Sequence, residues 1–133
     1  MILLDTHAFV WLACDDNSLG RVARRKIERA KTADGVAVSA VSFFELGVLV
    51  ERGRIRMRES LEALRAQALQ AGIQEVAIDT PIALLASRLR SFHGDPIDRL
   101  LVATAMDRGA TLMTADSALL GWTSGPSLAD ARR

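Results

Sequence analysis

Tyrosine is absent from the 133-residue sequence, and four phenylalanines and two tryptophans make up its aromatic complement. With so little aromatic bulk, aliphatic side chains have to fill the core. A lone cysteine, Cys14, cannot close an internal disulfide, and with only two histidines the chain has no Cys/His zinc set. Any metal bound here would therefore be held by oxygen. Long apolar runs are missing too. The longest stretch free of charge, Ser117 to Ala129, contains glycine, proline and serine, whereas a spanning helix needs about 20 mostly apolar residues. No segment is expected to cross a membrane. The opening MILLDTHAFVW lacks a basic leader and soon meets Asp5, so it does not read as a secretory signal, and cytoplasmic residence is the expectation. No P-loop or GxGxxG occurs, which leaves nucleotide-triphosphate and dinucleotide chemistry without support.

What is present describes a folded protein. The chain is 50 % hydrophobic and 25 % charged, and its length fits one domain over residues 1–133. Net charge is +1 but unevenly spread. Residues 21–31, RVARRKIERAK, hold six basic groups and one acid, and residues 52–58, RGRIRMR, hold four and none, so the remainder carries −8. Either basic run alone reads as a solvated helix face. Together, around an acidic remainder, they suit a protein that gathers a polyanion and acts on it through carboxylates.

Short apolar runs alternate with amphipathic segments. Strands are predicted at 2–4, around 36–39, at 75–79 and at 111–114, with a weak fifth at 127–129. Helices are predicted over 6–13, 19–30, 42–52, 60–71, 80–89, 96–108 and 116–120, with Gly72 and Gly109 as stops and Pro81 and Pro96 in first turns. This alternation indicates an α/β domain with a mainly parallel sheet of four to five short strands flanked by helices. Parallel crossovers gather strand C-termini at one edge, where ligands bind.

Four acids stand near that edge. Each has a structural explanation of its own. Asp98 lies in the first turn of a helix whose N-cap is Asp95, worth about 0.3–1 kcal/mol against the helix dipole. Ser42-Phe-Phe-Glu45 matches a capping box. Asp5 and Asp116 could cap the helices that follow their strands. Yet Thr6, Ser42, Asp95 and Thr114 could already serve as caps, which leaves one extra carboxylate at each start. Brought together, Asp5, Glu45, Asp98 and Asp116 would repel unless a cation compensated, and an oxygen-only ligand set points to Mg²⁺ or Mn²⁺. Such a site suits phosphodiester hydrolysis.

LLDTH with Asp5, SFFELG with Glu45, HGDPIDRLLVATA with Asp98 and LMTAD with Asp116 together resemble the PIN-domain ribonucleases, specifically the VapC-type toxins of bacterial toxin-antitoxin pairs. The resemblance covers nearly the whole chain, in order and spacing. It implies a PIN-like three-layer sandwich and a metal-dependent endoribonuclease acting on structured RNA such as transfer or ribosomal RNA. It also implies a cognate antitoxin and a homodimer. By the same resemblance Asp5 and Asp98 are the principal Mg²⁺ ligands, Asp116 completes the metal cluster, and Glu45 holds or activates a water. Thr6 and Thr114 match supporting hydroxyl positions. Asp95 is assigned mainly to capping, and Arg99 either to a structural pairing or to a phosphate contact. Ile97 stands where phenylalanine is frequent, and the tail around Gly121, Gly125 and Pro126 departs from the pattern, which puts the fifth strand in doubt.

His7 and His93 read as local or exposed groups rather than catalytic bases, Trp11 as core, Trp122 as cover for an apolar edge, Phe43 and Met57 as packing, and Cys14 as a buried small residue. The rival reading is a catalytically idle RNA-binding or interaction module whose acids are caps. A phosphotransfer domain using Asp5 as nucleophile ranks last, because position 7 is histidine where Asp-x-Asp would be expected.

Overall fold

Alternation along the first strand, β1 (Ile2–Leu4), sets the layers: Ile2 and Leu4 enter one apolar cluster and Leu3 the other. The computed structural model describes residues 1–90, 92 and 94–133. The chain continues through α1 (Thr6–Ala13), α2 (Arg21–Lys31), β2 (Val36–Ser39), α3 (Ala40–Glu51), α4 (Leu61–Gln70) and β3 (Gln74–Val76). It closes with α5 (Thr80–Ser87), α6 (Pro96–Arg108), β4 (Thr111–Thr114), α7 (Ser117–Leu120) and β5 (Leu128–Asp130). The sheet is parallel throughout, in the order β3-β2-β1-β4-β5. Phe9, Ile27, Leu46 and Leu64 pack helices α1 to α4 on one face, and Ile82, Leu101 and Leu119 pack α5 to α7 on the other. The expected three-layer α/β sandwich is thus observed.

The order places β1 at a reversal. The chain steps outward from β1 through β2 to β3, then returns to β1's other side with β4 and β5. Helices leaving β1 and β4 therefore diverge, and a crevice opens beyond their C-terminal ends.

Several boundaries differ from the sequence reading for local reasons. Helix α3 starts at Ala40 with Ser39 as its cap, whose Oγ accepts from Val41 N at 3.2 Å. Ser42 is therefore not a capping residue, and the capping box with Glu45 is not formed. Helix α5 stops at Ser87 rather than Leu89, where the Ala86 carbonyl and, just past the helix, that of Leu89 accept from the Arg99 guanidinium. β3 is shorter than expected because Asp79 turns out of the strand to cap α5, with Oδ1 accepting from Ile82 N at 3.0 Å. β5, in doubt from sequence, is formed: Met113 pairs with Ala129 and Thr114 with Asp130. Cys14 is exposed instead of buried, since it ends α1 where the chain turns outward at Asp15 (φ 51°). The expectation for His93 falls outside the described residues.

Gly109 closes α6 in the left-handed region (φ 59°), the conformation most accessible to glycine. The alternating 52–58 segment resolves as an irregular loop. Ile55 and Met57 pack against the core while Arg54, Arg56 and Arg58 are exposed.

Candidate active site

All four candidate acids and Asp95 line one cavity of about 320 Å³ at the C-terminal edge of the sheet. Asp5 follows β1 and Asp116 follows β4, so these two flank the reversal point. Glu45 arrives from the second turn of α3, and Asp98 from the first turn of α6.

Local chemistry aims each one. Asp5 is buried and caps α1: Oδ1 accepts from Ala8 N at 2.7 Å. Asp116 caps α7, its Oδ1 accepting from Ala118 N at 2.8 Å and Leu119 N at 3.1 Å. Thr6 and Thr114 are therefore not the caps expected of them. Thr114 instead ties two acids together, because its hydroxyl accepts from Asp116 N at 3.1 Å and is hydrogen-bonded to Asp5. Buried Thr6 donates to the buried Ser42 hydroxyl at 3.0 Å, stitching the start of α1 to α3. Ser42 lies one turn before Glu45 on the same side of α3, so this bond sets where Glu45 points. Sequence reasoning missed that role because it spent Ser42 on a cap.

Asp95 caps α6 as expected, with Oδ1 accepting from Asp98 N at 2.8 Å. It also adds charge to the cavity. The Asp98 carboxyl is pushed up to about 7, first by burial and then by the negative charges of Asp95, Asp116, Glu45 and Asp5. Burial likewise raises Asp5, an effect opposed by its bonds to Thr114 and Ala8 and by the charge of His7. Arg99 takes no part in the cavity. Its guanidinium donates to the carbonyls of Ala86, Phe92 and Leu89 at 3.0, 3.0 and 3.1 Å, a structural clamp joining the end of α5 to the start of α6.

The donor set suits a hard divalent cation: burial first, and then the surrounding negative charges, disfavour the Asp98 carboxylate, a cost that a cation would relieve. Among the described residues, no three carboxylates close into a ready-made ligand group.

The PIN domain family profile matches residues 2–120. The chain belongs to the PIN-domain family. This PIN domain is 38 % identical over 119 residues to Ribonuclease VapC22 of Mycobacterium tuberculosis, a match spanning 89 % of this chain and 88 % of that protein. Among solved structures it resembles VapBC2 from Rickettsia felis bound to a DNA fragment from its promoter (TM-score 0.72, 16 % identity, 97 % of this chain and 98 % of that one). It also resembles DNA-bound VapBC from Salmonella typhimurium (TM-score 0.68, 15 % identity, 97 % and 96 %). At such identities these two structures speak to fold alone.

Three further features of the PIN domain bear on the site. Trp11 is half-buried, packs against the core and lines the acid cavity, with exposed His7 edge-on to its ring at 6.3 Å. Trp122 stacks on Phe92 at 4.8 Å over the second core, and its buried Nε1 has no partner among the described residues. Arg132, in the tail after β5, also lines the acid cavity and was not singled out from sequence. Only a strand that the sequence left in doubt brings it there. Part of the first basic run lies away from the acids. Lys26 and Arg29 lie with Met1 and Thr111, where β1 and β4 begin, at the edge opposite the acids.

Proposed function

We propose that this PIN domain is a Mg²⁺- or Mn²⁺-dependent endoribonuclease, the toxin of a type II toxin-antitoxin pair, hydrolysing structured RNA. The observation that carries it is the convergence of Asp5, Glu45, Asp98 and Asp116 on one cavity, with Asp98 pushed up to about 7 by burial and then by the other acids. The likeness to Ribonuclease VapC22 supports the activity, and the VapBC neighbours support an antitoxin as partner. Transfer or ribosomal RNA is the proposed substrate class.

Asp5, Asp98 and Asp116 would hold the ion, which when bound supplies a more acidic water and neutralises charge developing on the phosphate. Glu45, fixed by the Thr6–Ser42 bond one turn away, accepts a proton from the attacking water. Asp5 and Asp116 each keep one oxygen on a helix cap, which holds their other oxygens in register. Asp95 and Arg99 set the start of α6 and so the position of Asp98.

A homodimer is part of the proposal. Phe44 on α3 is 64 % exposed, an apolar surface of the kind that a second copy would cover.

The test is cleavage of a structured RNA by purified protein. The parent is expected to cut in Mg²⁺ and stop in EDTA, and Asp98→Asn at equal folding to lose at least ~10²-fold in rate. Parent protein that leaves RNA intact in both Mg²⁺ and Mn²⁺ would favour an idle RNA-binding module.

A further inference from the structure

An RNA strand entering the acid cavity meets a wall of negative charge. Five carboxylates line it, and Arg132 is the one lysine or arginine among the described residues there. Arg132 forms no ion pair with any of the five among the described residues. An arginine beside acids and bound to none is not serving as their internal counter-ion, and its five donors remain available to a ligand.

The backbone around Arg132 is held firmly. Ala131 N donates to Thr114 O at 2.8 Å, extending the β4–β5 ladder, and Gly20 N donates to Ala131 O at 2.8 Å. Arg132 N donates to the Asp130 carboxylate at 2.8 Å, and Val22 N to Arg133 O at 2.6 Å. A Cβ at Gly20 would overlap the backbone of Arg133, so only glycine lets the tail lie this close to the start of α2. The segment is thereby anchored to β4 and α2 on either side of an exposed guanidinium.

We propose that Arg132 is the substrate-phosphate ligand of this site, its guanidinium gripping non-bridging oxygens of the RNA phosphodiester presented to the acids. The planar fork matches two phosphate oxygens at once and stabilises negative charge as the phosphorus is attacked. Arg132 stays protonated throughout: water adds to phosphorus, the sugar oxygen leaves, and both proton transfers belong to other groups. The assignment rests on the ribonuclease reading, but its test includes readouts that do not require cleavage.

Arg132→Ala and Arg132→Lys are compared with the parent in the full chain, after thermal melts show equal folding. In Mg²⁺, Arg132→Ala is expected to cut structured RNA ~10²-fold more slowly, with Arg132→Lys intermediate because charge is kept and the fork lost. RNA binding is then measured by fluorescence anisotropy in EDTA, in an Asp98→Asn background, across a salt series. Loss of one phosphate contact is expected to flatten the log–log salt slope by about 0.7. Mn²⁺ affinity, read by calorimetry without RNA, is expected to stay equal or tighten, because a like charge has left the cavity. An unchanged cleavage rate, an unchanged salt slope or weakened Mn²⁺ binding in Arg132→Ala would each overturn the assignment. If the parent fails to cut RNA, the ribonuclease reading falls, while the salt slope still decides whether Arg132 meets phosphate.

Discussion

Asp98 shows how one residue can serve a helix with its backbone and face a cavity with its side chain. Its backbone N–H completes the Asp95 cap, and its side chain faces the other acids with a carboxyl pushed up to about 7. The stability consequence has a definite sign. Between the unfolded value near 4 and the folded value near 7 the folded chain binds more protons, so stability from this group is present below about pH 4 and lost as pH rises through about 7. In metal-free protein, the stability of the parent relative to Asp98→Asn should therefore fall across that window, measured by urea denaturation at several pH values. A difference that grew with pH would contradict the electrostatic account. The Thr6–Ser42 bond offers a second test at this scale. Ser42→Ala strands a buried Thr6 hydroxyl and should cost about 1–3 kcal/mol in urea unfolding. It should also slow cleavage through Glu45, whereas Thr6→Val with Ser42→Ala should recover much of the stability but not the rate.

Elements were legible where local signals agreed, and shifted where a distant group intervened. Helix α1 and helix α6 occupy the spans read from sequence because caps, first-turn proline and a terminal glycine all lie within the segment. Helix α5 ends early because Arg99, more than ten residues along, takes the Ala86 and Leu89 carbonyls. Arg99→Ala would leave carbonyls at a partly buried junction without donors, and a loss of about 2 kcal/mol is expected from thermal or urea unfolding. Arg99→Lys should recover little, because one ammonium cannot reach three diverging carbonyls. The cap of α3 was misplaced by three residues because Ser39 and Ser42 are equally good caps on local grounds. Only the partner offered by α1 decides between them. β5 is the same lesson in a strand: its own pattern is weak, and pairing with β4 forms it.

At the scale of the molecule, the sheet order does the assembly. A strand sequence that steps out from β1 and returns on its other side leaves the crevice that Asp5 and Asp116 flank. The same order turns α2 so that Lys26 and Arg29 lie at the far edge, and these two side chains cannot line the acid cavity. Replacing both with glutamine should therefore change the cleavage rate less than Arg132→Ala does, assayed on the same RNA. Exposed Phe44 sets a separate expectation: light scattering should give a dimer mass for the parent and a monomer mass for Phe44→Glu. The sequence by itself marked out the α/β class and the four acids that share the cavity, because periodicity, composition and motif spacing are local properties of the chain. Tertiary structure decided what surrounds those acids. The roles of Ser42, Thr114 and Arg132, and the charge that raises Asp98, depend on contacts between segments far apart in the chain, which no local pattern encodes.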